Sequence, residues 1–505
     1  MTDEIKKAQC EKNLYDYLRD HARKNPKKPY LITDDRTIDY GEALMLAEQT
    51  AARLMECGVE KGDLVALRAE RCPSAALLAI SLCVFGGIAV MTDAHFRADE
   101  YIGQTGVGIE PDFYLTSEDG SDGKWMLKGG DYSDICDITP ADFGLDVSAV
   151  VSAHDLVRPD DPFSVIFTSG STGASKAVML SHVNCIANPV DAMPLFEEDE
   201  NDRAVAMLPL NHVFGFAVVS CATFCGHDVV FPTEVTADAV LGAIEKFDVT
   251  VMYSVPTFFL DMLSGGKHKK FDISSLRLGL MAGGPFTADQ MRFIEGELGL
   301  RLMPGYGMSE CVGISTTAYS ASVEERAAGV GRLYPMTECD IVGENGEKLA
   351  AGEEGEIRVK GPTLMLGYYG DAEATKAAFD ELGRLRTGDI GYFDPDGILH
   401  ISGRLKDIII RGGENISAGK IERALLSLPG VYQAAAVGVR DEKYGETPCA
   451  MVVPKEGAKL TEDGLKKSLA SCLSGHEIPE RIKITSAFPL TSSGKPDKQK
   501  MKEMF

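Results

Sequence analysis

The chain has 505 residues, 44% of them hydrophobic, which is more than one hydrophobic core usually holds, so two or more globular domains are expected. Its formal charge of −25 argues against nucleic acid as a partner, and its twelve cysteines form no CxxC pair and no His/Cys cluster at metal-ligand spacing. They read as buried free thiols of a reducing compartment rather than as disulfides or a structural zinc site.

The amino terminus, MTDEIKKAQC, is polar with no secretory h-region after it, and the tail KMKEMF has neither a peroxisomal tripeptide nor a prenylation box. A cytoplasmic protein is expected. Cys72 to Thr92 (CPSAALLAISLCVFGGIAVMT) then runs for twenty-one residues without a charge, long enough to suggest a membrane span. Gly86-Gly87 divides it. A helix of about thirteen residues from Pro73 and a buried strand Ile88 to Met91 suit an α/β core better, so no membrane span is expected.

Phe167 to His182 reads FTSGSTGASKAVMLSH: two glycines, six hydroxyl side chains and one lysine, following the apolar run Val165-Ile166-Phe167. Glycines let backbone N–H groups face an anion, hydroxyls donate without bulk, and a lysine adds a mobile charge, so a phosphate chain is the natural guest. A solvated Ser/Gly linker has the same composition. It is not a Walker loop, because Lys176 follows Ser175 rather than glycine and precedes Ala177 rather than Ser or Thr.

Further on, helical and β-rich segments alternate: a helix Ala237 to Phe247, a strand Val249 to Tyr253, a helix from Pro256 through Met262, and a strand Leu276 to Met281 ending in Gly283-Gly284. A helix Thr287 to Leu298 and a short strand Arg301 to Met303 ending in Gly305-Tyr306-Gly307 continue the pattern. Alternation of this kind implies a largely parallel sheet. Glycine-containing loops are expected after Phe167, Met281 and Met303, at the carboxyl ends of strands where such sheets bind ligands. Beyond Glu354 come short strands and hairpins: Gly355 to Val359, Gly397 to Ser402, and Asp407 to Arg411 turning at Gly412-Gly413. From Arg404 onward there are 17 Lys and Arg against 13 Asp and Glu, a net +4 beside −29 for residues 1–403. A separate α+β module, mildly basic and suited to a polyanionic small molecule, is expected there, with strands Ala434 to Val439 and Cys449 to Val453 and helices near Ile421 to Leu428 and Leu465 to Cys472.

Six ordered motifs make the chain resemble the adenylate-forming acyl-CoA synthetases, a superfamily shared with nonribosomal peptide adenylation domains and beetle luciferases, along nearly its whole length. They are Thr168-Ser169-Gly170-Ser171-Thr172-Gly173 with Lys176; Pro209-Leu210-Asn211-His212; Gly305-Tyr306-Gly307-Met308-Ser309-Glu310; Thr387-Gly388-Asp389; Gly403-Arg404-Leu405-Lys406-Asp407 with Gly412-Gly413-Glu414-Asn415-Ile416; and Ser493-Gly494-Lys495-Pro496-Asp497. The resemblance implies an α/β amino-terminal domain of several subdomains with parallel-rich sheets, residues 1–403, and a small mobile α+β domain, residues 404–505. It also implies an acid:CoA ligase that forms an acyl-adenylate from a fatty or aryl acid and ATP with Mg²⁺, then transfers the acyl group to coenzyme A. A freestanding adenylation enzyme serving a carrier protein is the nearest alternative. A non-catalytic ligand-binding protein and a luciferase-type oxygenase stand further off.

By that resemblance, Ser169, Thr172, Lys176 and the loop backbone hold phosphates. Gly283, Gly284, Pro285, Gly305 and Gly307 flank the nucleotide, and Tyr306 offers the adenine a stacking face. Asp389 and Arg404 take the ribose, while His212, Ser309 and Glu310 belong to the reaction centre, Glu310 as the Mg²⁺ ligand. Lys495 meets the α-phosphate and carboxylate, Gly412-Gly413 lines the pantetheine path, and Lys406 is the hinge. Ser175, Ala177, Ser309 and Ala418-Gly419-Lys420 depart from the family pattern. From Ala204 to Pro232 the one formal charge is Asp228, so a tail pocket built on Val213 to Val219 and completed by Met281, Gly305 and Val312 is expected to take an uncharged apolar acid.

Overall fold

In the computed structural model, which describes residues 3–93, 109–117, 124–130, 133–168, 175–284, 286–455, 457–490 and 496–505, the charge-free stretch is a helix and a strand. Pro73 opens the helix Pro73–Phe85, Gly86 closes it in the left-handed region at φ 83°, and Ile88–Thr92 follows as a strand. All thirteen residues of that helix are buried, so it is apolar all round because protein surrounds it. No described helix is long and apolar enough to cross a membrane.

The described strands form four sheets. In an eight-stranded sheet, Ile88–Thr92 lies parallel between Leu64–Arg68 and Pro162–Phe167. In a nine-stranded sheet, Arg203–Val205, Val251–Ser254, Leu278–Met281 and Arg301–Met308 run parallel side by side. Side chains alternate across each strand, so Val251 and Tyr253 enter a core shared with the eight-stranded sheet. Met252 joins the helices Ala237–Phe247, Pro256–Leu263 and Ala288–Leu298 on the other face. The shared core also takes in the apolar helices His182–Phe196 and Val213–Cys225, which bring the candidate site's inner wall between the sheets.

An antiparallel sheet of Glu338–Val342, Gly355–Lys360, Leu385–Phe393 and Leu399–Arg404 follows. The last sheet, beginning at Ile408–Arg411, packs the helices Ala418–Leu426 and Glu462–Leu469 around a core of its own that includes Ile421, Val452 and Leu469. The hairpin expected at Gly412-Gly413 is present, both glycines in the left-handed region at φ 60° and 89°. A substituted motif has a steric account here: a Cβ on Gly419 would sit 2.8 Å from the Ser402 carbonyl oxygen, so glycine lets this helix dock on Leu399–Arg404.

Two expectations are corrected. The third glycine loop is strand instead: Arg301–Met308 runs through Gly305-Tyr306-Gly307 and folds back on Cys311–Thr316. Gly307 answers a close approach rather than a loop torsion, since a Cβ there would lie 2.7 Å from the Val312 carbonyl oxygen. All twelve cysteines are free as expected, but burial is not general, because Cys472 is exposed and Cys57, Cys136, Cys225 and Cys339 are half-buried.

Candidate active site

A cavity of about 760 Å³ opens where the expected motifs meet. Its polar end is lined by Thr168, Ser175, Lys176, Ser309, Glu310, Thr387, Gly388, Arg404 and Lys406. Its apolar end is lined by Met193, Phe196, Val213, Phe214, Ala217, Cys221 and Tyr253. Gly283, Gly305, Tyr306, Gly307 and His212 line it as well.

At the polar end the chain is pinched by a reciprocal pair. The Thr168 N–H donates to the Lys176 carbonyl at 2.9 Å, and the Lys176 N–H donates to Thr168 Oγ1 at 3.2 Å. Ser169, Gly170, Ser171, Thr172 and Gly173 lie outside the described residues. Lys176 Nζ stands 4.5 Å over the ring of Tyr368, whose hydroxyl donates to Glu310 Oε1 at 2.9 Å. Burial, then the Glu310 charge, push the Tyr368 phenol up, so it stays a donor. Tyr368 thereby links Lys176 to Glu310, a contact missed in the sequence. Gly367-Tyr368-Tyr369-Gly370 was the available signal, and the strand Gly367–Tyr368 pairs directly with Ala177–Ser181.

Asp389 is the hub of the next group. Its Oδ2 accepts from the Tyr306 hydroxyl at 2.7 Å and its Oδ1 from Arg404 Nε at 2.8 Å, while its N–H donates to Thr387 Oγ1 at 3.0 Å. Each carboxylate oxygen keeps a second lone pair for a ligand. The antiparallel register places Asp389 opposite Arg404, which is why two motifs fifteen residues apart meet. Burial, then the Arg404 charge, hold the Lys406 ammonium below its ordinary pKa, in the short 3-10 turn Leu405–Asp407 at the cavity edge. Gly283 turns the chain at φ 80°, and a Cβ on Gly284 would meet Pro256 at 3.4 Å. Pro285 lies outside the described residues.

The apolar end hangs on Pro209-Leu210-Asn211-His212. His212 caps the helix Val213–Cys225, its Nδ1 accepting from the Phe214 N–H at 3.2 Å. Helical spacing then turns Val213, Phe214, Ala217 and Cys221 to the cavity, so the lining is not the consecutive run expected. Phe216 packs on Phe163 in the core, 5.7 Å between centroids, and Gly215 abuts the Pro209 carbonyl. Met281 is likewise corrected: it is fully buried on the far face of its strand, and Leu280 and Ala282 face the cavity. Gly305 and Val312 line it as expected. Behind this wall, Tyr253 donates to Glu198 Oε2 at 2.8 Å and His227 Nε2 lies 2.7 Å from Glu198 Oε1. Burial works against the His227 imidazolium, but the Glu198 carboxylate outweighs it and raises the pKa. Asp228, the one formal charge in the segment, pairs with Arg203 at 2.9 Å.

Gly412 and Gly413 are not in the lining; they tip a hairpin in the carboxyl-terminal sheet, where the Gly412 N–H donates to the Tyr444 carbonyl. Lys495 lies outside the described residues. Its flanks are anchored: Leu490 bridges Pro496, and Lys498 pairs with Asp407 at 2.7 Å and Glu422 at 3.0 Å, tying this segment to the turn that carries Lys406.

Residues 18–369 match the model described as AMP-binding enzyme, and residues 420–495 match the one for that enzyme's C-terminal domain. The chain belongs to the AMP-binding enzyme family. Feruloyl-CoA synthase of an Amycolatopsis species is 31% identical over 494 residues, 96% of this chain and 97% of that protein. Among solved structures, ATP-bound MatB of Rhodopseudomonas palustris matches with a TM-score of 0.83 at 26% identity, over 98% of this chain and 99% of that one. The o-succinylbenzoate coenzyme A synthetase of Bacillus subtilis, in complex with ATP and magnesium ion, matches with 0.79 at 26% identity, over 96% and 99%. As an AMP-binding enzyme of the acyl-CoA synthetase superfamily, the chain is an AMP-forming acid–thiol ligase that works with ATP, Mg²⁺ and coenzyme A.

Proposed function

We propose that this acid:CoA ligase activates a fatty or aryl acid with an uncharged, apolar tail. The observation that carries the tail assignment is the group of apolar side chains Met193, Phe196, Val213, Phe214, Ala217 and Cys221 in a lining whose carboxylates are Asp93, Glu310 and Glu356. The acids behind it are already engaged. Glu198 is held by Tyr253 and His227, and Asp191 by Lys6 at 2.8 Å and the Met336 N–H at 2.8 Å. The side chains of both acids are fully buried. An α-ammonium placed against this wall would be desolvated without a counter-charge.

Two steps follow from the family's reaction. A carboxylate oxygen attacks the α-phosphorus of ATP, forming the acyl–phosphate bond as the bond to pyrophosphate breaks. The coenzyme A thiolate then attacks the acyl carbonyl, forming the thioester and releasing AMP. The acid needs no general base, because it is ionised at neutral pH. The catalytic demand is to neutralise charge on the phosphates. Thr168 and Lys176, with Ser169, Thr172 and the backbone between them, are the residues we assign to the β- and γ-phosphates. Glu310 fits Mg²⁺: one oxygen is fixed by Tyr368 and the other remains, and no cluster of three ligating side chains occurs among the described residues, which suits an ion held largely by phosphate and water. Bound there, Mg²⁺ supplies charge neutralisation on the triphosphate. Asp389 and Arg404 orient the ribose, His212 gates the carboxylate between the two ends of the cavity, and Lys495 meets the α-phosphate.

The antiparallel sheet ends at Arg404 and the last sheet begins at Ile408, which supports domains of 1–403 and 404–505 with Lys406 as hinge. Rotation about it exchanges Lys495 for Gly412-Gly413 between the two steps, the latter lining the pantetheine path. The twelve free cysteines support a cytoplasmic setting.

Matched pairs test the tail assignment by pyrophosphate release: hexanoate against norleucine, and phenylpropanoate against phenylalanine. The unsubstituted acid is expected to win both. Preference for the amino acid in either pair would overturn the assignment.

A further inference from the structure

Four tyrosines line the cavity, and three of them have hydroxyls committed to carboxylates: Tyr253 to Glu198 at 2.8 Å, Tyr306 to Asp389 at 2.7 Å and Tyr368 to Glu310 at 2.9 Å. The fourth, Tyr334, is 5% exposed and its hydroxyl has no hydrogen-bond partner among the described residues. Asn188 shares this property. It lines the same cavity from the helix His182–Phe196, is 8% exposed, and its carboxamide bonds to no described residue. Gly313 shows that the two are neighbours. A Cβ built on it would lie 2.4 Å from Asn188 Oδ1 and 2.4 Å from Tyr334 Cε2, so the missing side chain is what lets both groups reach this part of the wall.

Nearly every buried donor and acceptor in a folded protein is paired, and an unpaired one is costly. Two unpaired groups side by side on the wall of a substrate cavity are therefore a recognition element. We propose that the acid preferred by this chain carries one uncharged hydrogen-bonding group, a hydroxyl or a keto oxygen, on its otherwise apolar tail, and that Asn188 and Tyr334 bind it. The inference rests on the tail assignment above. Asn188 offers both a donor and an acceptor, and Tyr334 a donor, because burial raises its phenol and keeps it protonated. A second carboxylate is not the expected group. The fixed cations of the lining, Lys176, Arg386, Arg404 and Lys406, belong to the phosphate loop and to the segment that carries the ribose motif, and none lies on the elements bearing Asn188 and Tyr334.

Two substrate pairs read by pyrophosphate release with coenzyme A present test this: 3-(4-hydroxyphenyl)propanoate against 3-phenylpropanoate, and 6-hydroxyhexanoate against hexanoate. The wild type is expected to favour the hydroxylated member of at least one pair in kcat/KM by about ten- to a hundredfold, the discrimination of a site whose polar groups are otherwise left unpaired. Asn188→Leu and Tyr334→Phe are expected to cut that ratio by about tenfold, through KM for the hydroxylated acid. Tyr334→Phe removes a single oxygen, so it keeps the test open should Asn188→Leu fail to fold. Preference for the plain acid in both pairs overturns the inference, as does a ratio unchanged in every folded variant; either result leaves the apolar-tail assignment standing. Turnover of norleucine with none of these four acids turned over overturns both.

Discussion

Gly215 lies in the first turn of the helix behind His212, and a Cβ built on it would sit 1.9 Å from the Pro209 carbonyl oxygen and 2.7 Å from the carbonyl carbon. Ordinary contact needs about 3.5 Å, so Gly215→Ala must part the helix from the Leu208–Pro209 backbone by roughly 1.5 Å. Backbone opposes backbone at this contact, and no flexible side-chain end can yield. The residues displaced would be Asn211, His212 and Phe214, all in the cavity lining. A misplacement of about 1 Å at a reacting centre costs on the order of a hundredfold, and overpacking costs about 1–3 kcal/mol of stability. The assay is kcat/KM for pyrophosphate release with hexanoate, beside a urea denaturation curve. Gly242→Ala is the control: its Cβ would lie 3.6 Å from Phe271, an ordinary contact in the interior of the helix Ala237–Phe247, and it should gain about 0.4–1 kcal/mol. A Gly215→Ala enzyme as fast as the wild type would refute the claim that this contact positions the gate.

Three more outcomes follow from the geometry and the proposed roles. Lys495→Ala should slow adenylation by about two to three orders of magnitude yet still convert supplied acyl-adenylate and coenzyme A to thioester; equal loss in both half-reactions would contradict a one-face role. Lys406→Pro, which fixes φ and constrains the preceding residue, should keep ATP–pyrophosphate exchange and lose thioester formation, and undiminished acyl-CoA turnover would rule out a hinge there. Burial pushes the His182 imidazole down to about 4, and its Nε2 has no partner among the described residues. Between that value and the unfolded pKa near 6.5 only the unfolded chain takes up the proton, so stability is full above about 6.5 and falls by about 3 kcal/mol as pH drops to about 4. His182→Gln should flatten the acid side of the urea-midpoint profile; an unaltered slope would count against the assignment.

Local signals with a strong period were legible in the sequence. The helix Ala237–Phe247 has the bounds expected of it, and Pro73 and Gly86 mark a helix that hydropathy alone would place in a membrane. Facing direction was less legible. Met281 and Phe216 are apolar like their neighbours, and only the strand and helix registers, set by distant partners, turn Leu280 and Phe214 to the cavity instead. The motif through Gly305 and Gly307 was expected to be a loop because glycine usually signals a turn, whereas here it relieves contact with the returning strand at Val312. Tyr306, Asp389 and Arg404 were each legible as motif members, yet their mutual hydrogen bonds depend on cross-strand pairing. Tyr368 was missed because its partners, Lys176 and Glu310, are far from it in sequence.

The most direct test of the account is product analysis with ATP, Mg²⁺, hexanoate or phenylpropanoate, and coenzyme A. One equivalent each of AMP, pyrophosphate and acyl-CoA per acid consumed is the result expected of an acid:CoA ligase with an apolar tail pocket. Formation of ADP and phosphate, or acyl transfer to a carrier-protein pantetheine with none to free coenzyme A, would contradict it.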